Sequence, residues 1–216
     1  KTLKITNATS LGEGALYNLA NLVSVYLNAE ITSFGKYSFQ ASNSLANVYF
    51  EGDIEDWCNI TLDNELSTPM CYAKHFYIYN SDTENYEEAK NIVIPDSITT
   101  ISDYKFYGFN NMISIEIPDS VTSIGQYAFY NCSSLESLEI PNSVTSMGKN
   151  ALRSCSSLDT LSIPFVGDKL KNPTIFHIGY LFGADTYEYN SNYFPSSIKT
   201  LKITNATSLG EGALYN

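Results

Sequence analysis

Basic side chains are scarce in this sequence of 216 residues, which has 12 Lys and Arg residues against 23 Asp and Glu residues and a formal net charge of −11. A protein that binds a nucleic-acid backbone needs a basic surface to displace counterions, and an anionic membrane surface attracts basic segments for a related electrostatic reason. The composition therefore argues against nucleic acid and anionic membranes as partners.

Long apolar runs are missing as well. No run approaches the roughly 18 apolar residues that indicate a membrane-spanning helix, and no secretory signal opens the sequence. We expect no membrane insertion in this segment. The missing signal is uninformative, because the sequence starts inside a repeat.

Residues suited to catalysis are few. His75 and His177 each stand beside aromatic residues and are 102 positions apart, so we expect packed or surface side chains. Gly12-Glu13-Gly14 lacks the following glycine or lysine of a phosphate-binding loop, and no G-x-S-x-G elbow occurs. The sequence predicts no enzyme, no cofactor and no metal site.

Only four cysteines occur. Cys132 and Cys155 share one repeat position, so their side chains point the same way on successive coils, an orientation poor for a disulfide. We expect both to be buried. Cys58 and Cys71 belong to one insert, and the sequence leaves open whether they form a bridge or stay as free thiols.

A repeat of 23 residues is the main feature that is present. Ile117 to Ile140 reads I-P-D-S-V-T-S-I-G-Q-Y-A-F-Y-N-C-S-S-L-E-S-L-E-I, and Ile140 to Ile163 returns the same Pro, Gly, Ala, Cys and apolar positions. A fixed period in this range predicts a solenoid of stacked coils.

Each coil carries two apolar residues around one exposed residue, a period of two that predicts a short strand with one buried face. Successive pairs are 22, 23, 44, 23, 23, 23 and 40 residues apart, so two coils carry inserts. We expect regular coils at 1–50 and 92–163 and enlarged coils at 51–91 and 164–200. The first residues of the pairs are Leu3, Val25, Val48, Ile92, Ile115, Leu138, Leu161 and Leu201.

A glycine recurs at one position of the repeat, which suits a positive φ or a close approach of two backbones. Gly35, Gly125 and Gly148 hold this position, and Ser102 is an exception. A small residue and then Phe or Leu follow, as in Ala128 and Phe129, and we interpret this stretch as a helical turn. The pair Lys105 and Phe106 departs from that pattern.

The inserts carry their own signals. Asp53 and nearby acidic residues predict a helix start, the run from Phe76 to Tyr79 predicts a strand, and Asn80 to Tyr86 predicts a polar turn. In the second insert, Asn172-Pro173 before the apolar run from Ile175 to Phe182, closed by Gly183, predicts a short helix.

The pattern S-V-T-S-I-G-x-x-A-F-x-x-C-S-S-L-x-S-L-x-I-P resembles the BspA-like class of leucine-rich repeats. The resemblance implies an α/β repeat solenoid, a right-handed coil with a parallel sheet of short strands and short helical or irregular convex segments. It also implies export, a location outside the cell or on its surface, and adhesion to host or microbial proteins or glycans. It implies no catalytic residues.

Residues 199–216 are identical to residues 1–18, an offset of 198 residues. A solenoid tolerates many residues on its exposed face, so packing alone does not explain this identity. We interpret the chain as one unit of 198 residues plus the start of the next, cut from a longer tandem array. The exposed ladder of such coils includes Tyr26, Tyr49, Glu116 and Glu139, and Tyr is favoured in recognition surfaces.

Two functions follow. In the first, this aromatic and acidic strip, or an insert, is the contact surface of an adhesion module. The alternative, which the pattern favours, is that the four residues are ordinary exposed strand positions. In the second, near-identical units self-associate end to end into a filament, stalk or coat. Seven strand steps at about 4.8 Å would give each unit a rise on the order of 34 Å.

Overall fold

The computed structural model describes residues 1–206, 208–210 and 212–214. The helices are short: α1 Ile54–Asn59, α2 Gly179–Phe182 and α3 Asn190–Tyr193, with 3-10 turns at Pro69–Cys71 and Tyr187–Tyr189. The strands are β1 Thr2–Ile5, β2 Ser10–Leu11, β3 Ser24–Leu27, β4 Ser33–Phe34, β5 Asn47–Phe50, β6 Thr61–Leu62, β7 His75–Asn80, β8 Asn85–Glu88, β9 Asn91–Val93, β10 Thr100–Ile101, β11 Ser114–Glu116, β12 Ser123–Ile124, β13 Ser137–Glu139, β14 Ser146–Met147, β15 Thr160–Ile163 and β16 Thr200–Ile203.

The anchor residues pair in parallel, in the register that the sequence predicts. Leu3 lies opposite Val25, Val25 opposite Val48, and Leu161 opposite Leu201. The longest sheet has the order β1-β3-β5-β7-β8, and β9-β11 and β13-β15-β16 continue the row after it. A second row, β2-β4-β6 and β10-β12-β14, uses two-residue strands. The predicted leucine-rich repeat solenoid is confirmed.

The inward side chains form one continuous core along the described part of the solenoid. Val25, Leu27, Val48 and Phe50 are fully buried, as the alternation of the strands requires. Equivalent large residues stack from coil to coil elsewhere in the core, and the packing of each coil depends on its neighbours.

The repeated glycine serves a close approach rather than a positive φ. A Cβ atom on Gly148 would lie 2.2 Å from the backbone nitrogen of Gln126, and one on Gly125 would lie 2.4 Å from that of Asp103. Ser102 accommodates its side chain because β10, just before it, is the edge strand of its sheet.

Positive φ angles occur instead two residues after this repeat position, whether it holds glycine or Ser102. They fall on Tyr37, Tyr104, Tyr127 and Asn150.

The convex segments are irregular turns. The sequence predicted a helical turn there, from a small residue followed by Phe or Leu. The N–H groups of Tyr104, Phe106 and Gly108 donate to the carbonyl groups of Gln126, Ala128 and Tyr130 in the next coil. Alternate N–H groups therefore bind the neighbouring coil, so a continuous helical hydrogen-bond pattern does not form.

The first insert contains α1 and a hairpin. Asp53 caps α1, because its side chain accepts from the N–H of Asp56 and the Asp56 carboxylate accepts from the N–H of Asp53, which confirms the predicted helix start. The predicted strand and turn are also present as β7, parallel to β5, and as the connection to the antiparallel β8. The count of seven strand steps therefore missed β7.

Lys105 occupies a repeat position that holds a small residue in other coils, and its contacts account for this exception. Its side chain is 1% exposed and donates to the carbonyl groups of Trp57, at 3.0 Å, and Ile60 at the end of α1. The pKa of Lys105 falls from 10.5 to about 8 because burial disfavours the charged form. The enlarged coil is thus bound to the next regular coil.

In the second insert, the helix predicted over Ile175 to Phe182 is shorter than expected. Helix α2 spans only Gly179–Phe182, with Gly183 as its left-handed cap, and does not reach back to Ile175. The N–H groups of Thr174 and Ile175 donate instead to the carboxylate of Asp168, at 2.9 and 3.0 Å. This side chain holds the segment in an irregular loop.

All four cysteines are free thiols. Cys58 and Cys71 are not bonded to each other. Cys132 and Cys155 are buried, as predicted, and their Sγ atoms donate to the carbonyl groups of Phe106 and Phe129 in the preceding coils, each at 3.2 Å.

Candidate interaction surface

Three tyrosines stack at paired positions on the exposed face of the longest sheet. Tyr26 and Tyr49 have ring centroids 4.4 Å apart with planes at 11°, and Tyr49 and Tyr77 are 4.7 Å apart at 12°. Strand pairing sets this geometry, because Tyr26 lies opposite Tyr49 and Tyr49 lies opposite Tyr77. Burial first, and then the neighbouring Tyr26 and Tyr77, raise the pKa of Tyr49.

The β7–β8 hairpin adds two more tyrosines to this face. Tyr86 lies opposite Tyr79 on the hairpin, and their rings meet at 5.4 Å in an edge-to-face contact. Tyr86 also lies 5.6 Å from Tyr26 and 5.2 Å from Tyr49, nearly perpendicular to both. The hairpin therefore bends back over the stack. We call Tyr26, Tyr49, Tyr77, Tyr79 and Tyr86 the tyrosine face.

A cation sits at one end of the tyrosine face. The Nζ atom of Lys4 lies 4.7 Å from the centroid of the Tyr26 ring, within the range of a cation–π interaction. The outer face of the stack is thus chemically suited to an ammonium group.

A polar network holds the hairpin at the other end. Glu88 contacts Nδ1 of His75 at 2.6 Å, Nδ2 of Asn111 at 3.0 Å and Nζ of Lys90 at 2.9 Å. Burial alone would raise the pKa of Glu88, but the hydrogen bonds from Asn111, His75 and Lys90 outweigh it and lower this pKa to about 2. Glu88 therefore stays ionised and fixes the base of the hairpin to the coil that carries Asn111.

The structure does not place the four strip residues in one sheet. Tyr26 and Tyr49 are in contact, whereas Glu116 lies on β11 and Glu139 on β13, beyond the end of the longest sheet. Both carboxylates are exposed on neighbouring strands. The surface therefore has an aromatic part and a separate acidic part.

Sequence reasoning missed Tyr77, Tyr79 and Tyr86 as part of the surface. The alternation around Tyr77 did indicate a strand, but β7 follows β5 by 28 residues and departs from the 23-residue spacing. Tyr86 reaches Tyr26 only through the bend of the hairpin, and no periodicity in the sequence encodes that bend.

A second group of tyrosines lies among the turns. Tyr104 stacks on Tyr127 at 5.5 Å and Tyr107 on Tyr130 at 4.7 Å, all four half-buried. These contacts join two successive coils. The group provides a matched comparison for the tyrosine face, because stacking and residue type are the same.

The remaining sequence candidates are structural. His177 is buried and its Nδ1 lies 3.0 Å from Oδ1 of Asn190. Within residues 1–206, 208–210 and 212–214, no group of three His, Cys, Asp or Glu side chains is arranged to hold a metal ion. Over the same residues, no helix has the length and apolar character needed to cross a membrane.

The stacked coils with their row of short parallel strands define a leucine-rich repeat protein. Six copies of the BspA type leucine-rich repeat region match residues 1–67 and 77–202. The chain therefore belongs to the BspA type leucine-rich repeat family. No protein of curated function matches it.

Three solved structures are similar to this chain. A leucine-rich cell surface protein from Faecalibacterium prausnitzii A2-165 has 23% identity and a TM-score of 0.45 over 74% of this chain, which spans 46% of that protein. A leucine-rich repeat protein from Eubacterium ventriosum has 16% identity and a TM-score of 0.47 over 94% of this chain and 72% of its own. The pneumococcal vaccine antigen PcpA has 16% identity and a TM-score of 0.46, with coverage of 93% and 61%.

Proposed function

We propose that this chain is a non-enzymatic adhesion scaffold, displayed outside the cell or on its surface, whose tyrosine face contacts a host or microbial protein or glycan. The stack of Tyr26, Tyr49 and Tyr77 on the exposed side of the sheet carries the proposal. Family membership supports a scaffold role, because leucine-rich repeats generally act as binding frameworks. The exposed carboxylates of Glu116 and Glu139 extend the proposed surface.

The tyrosine face has the physical properties of a contact surface. Tyrosine offers a large, rigid and amphipathic contact at a low cost in conformational entropy. Here the rings are already ordered by strand pairing and by stacking on each other, so binding orders few additional groups. Tyr79 is exposed at 39%, and the other rings of the tyrosine face are half-buried, so all five keep surface for a partner.

The test measures adhesion of the chain to immobilised matrix proteins, glycans, host cells and microbial cells. A variant with Tyr26→Ser and Tyr49→Ser is compared with a control carrying Tyr104→Ser and Tyr127→Ser, which removes an equivalent stack elsewhere. We expect binding to fall at least tenfold in the first variant and to persist in the control. Equal binding by both variants would remove the tyrosine face from the proposal.

The second candidate function is a structural array. Residues 200–203 repeat residues 2–5, and β16 pairs with β15 in the same parallel manner in which β1 pairs with β3. A step from one 198-residue unit to the next can therefore be an ordinary coil step. We propose that units stack end to end into a filament, stalk or coat. Light scattering of the purified chain over a concentration series tests this, and a monomer at every concentration would contradict self-association.

A further inference from the structure

We propose that the corner between Tyr79 and Tyr86, together with the carboxylate of Glu51, binds Lys or Arg side chains of a basic partner protein. The inference rests on the proposed adhesion function and names the chemical group that the tyrosine face recognises. Three observations carry it: the orientation of the Tyr86 ring, the ammonium group already bound at Tyr26, and the charge around the corner.

The Tyr86 ring lies flat across the edges of two stacked rings. Tyr26 and Tyr49 cover each other's inner faces, and Tyr86 is nearly perpendicular to both at 5.6 and 5.2 Å. One face of Tyr86 therefore rests on their edges, and its other face is directed away from the stack. Tyr79 meets Tyr86 at 5.4 Å and 67°, and it is the exposed ring of the pair, at 39%.

A cation is the ligand group that this chemistry favours. The face of an aromatic ring carries negative electrostatic potential and attracts Lys and Arg side chains. Lys4 supplies an internal example, with its ammonium nitrogen 4.7 Å from the Tyr26 centroid. The same group of rings offers a second outward face at Tyr86 that is not taken by Lys4.

The charges near the corner complement a basic partner. Glu51 follows β5 directly and is exposed, and its carboxylate is close enough to help raise the pKa of Tyr86, after burial. Glu88 already binds His75, Lys90 and Asn111, so it contributes less to a ligand. The net charge of −11 adds long-range attraction for a basic protein.

The test uses a fluorescent oligo-arginine peptide and an oligo-glutamate peptide of the same length, measured by fluorescence anisotropy. Tyr86→Leu removes the aromatic face while keeping the charge and the apolar cover of Tyr26 and Tyr49. We expect Tyr86→Leu to weaken oligo-arginine binding about five- to thirtyfold and Tyr86→Phe to change it less than about twofold, because the ring rather than the hydroxyl carries the interaction.

Two further variants complete the design. Glu51 lies outside the packed rings, so Glu51→Gln tests the charge without a change in folding. We expect oligo-arginine binding to weaken about threefold or more. Tyr17→Leu, on an exposed turn, is the matched control and should bind like the original chain. Unchanged binding in both Tyr86→Leu and Glu51→Gln would overturn the inference.

The outcome is separable from that of the proposed function. Adhesion that is lost with Tyr26→Ser and Tyr49→Ser but is indifferent to Tyr86→Leu and Glu51→Gln would keep the adhesion function and reject the cation site. A chain that binds neutral glycans through Tyr86 and ignores oligo-arginine would also reject it. Oligo-arginine binding with the expected variant pattern supports it.

Discussion

Lys105 and Trp57 are bound to each other twice. The Lys105 ammonium donates to the Trp57 carbonyl at 3.0 Å, and the Trp57 indole N–H donates to the Lys105 carbonyl at 3.1 Å. The two residues are 48 positions apart: Trp57 belongs to the enlarged coil, and Lys105 belongs to the regular coil after it. This pair therefore connects the enlarged coil to the regular coils that follow it.

Stability should rise with pH through Lys105. Its pKa is about 8 in the folded chain and 10.5 in the unfolded chain, so between these values the unfolded state binds more protons. The free energy of unfolding contributed by Lys105 then increases with pH over that window, by on the order of 3 kcal/mol, and is constant below it.

Urea unfolding from neutral pH to pH 10.5 measures this effect as a difference between the original chain and Lys105→Met. Tyrosine ionisation affects both proteins and largely cancels in the difference. Parallel pH profiles for the two proteins would show that the buried ammonium is not destabilised.

The close approach of coils should make Gly148 intolerant of a side chain. Gly148→Ala places a methyl group 2.2 Å from the nitrogen of Gln126, whereas nothing lies within 4 Å of a Cβ atom on Gly12. We expect Gly148→Ala to lower the free energy of unfolding by about 2–4 kcal/mol and Gly12→Ala to be nearly neutral. Equal denaturation midpoints for the two variants would contradict this reading of the repeat.

At the repeat position of Cys132 and Cys155, a buried hydrogen-bond donor should stabilise the fold whether it is a hydroxyl or a thiol. Ser42 occupies this position in an earlier coil, and its Oγ donates to the Leu16 carbonyl at 2.8 Å. Ser42→Ala removes that bond and should cost about 1–3 kcal/mol. Ser42→Cys keeps a donor of the kind seen at Cys132, so we expect a smaller loss in thermal unfolding. The reverse order would show that size rather than hydrogen bonding governs the site.

The thiols should be inert in the folded chain. Burial raises the pKa of Cys58 to about 11 and that of Cys71 to about 12, so neither supplies much thiolate at neutral pH. Mass spectrometry after treatment with an alkylating reagent should show little addition under native conditions and four additions after unfolding without reductant. Fewer than four additions would reveal a disulfide, and Cys58 with Cys71 would be the first pair to examine.

Much of the scaffold follows from the sequence because the repeat encodes burial directly. The anchors Val25, Val48 and Leu161 could be placed in register, since alternation along a strand fixes which side chains face the core. The cap at Asp53 was equally readable, because its interactions are local.

The candidate surface was only half predictable. Tyr26 and Tyr49 share a repeat position and could be expected to be neighbours, but Tyr86 joins them through a bent hairpin. The helix expected from Ile175 failed for a similar reason, since the Asp168 carboxylate takes up N–H groups from a segment several residues away. Periodicity reports the regular coils, whereas individual side chains determine the inserts.

Trp57 is the single tryptophan of the chain and is buried in contact with the rings of Phe50, Phe76 and Phe109. Its indole emission is therefore an intrinsic optical probe of a single contact, the one between the first enlarged coil and the regular coil after it. A red shift of that emission during unfolding will report the opening of this contact. Circular dichroism will follow the strands on both sides, so the two signals together reveal whether the solenoid unfolds as one unit or in two steps.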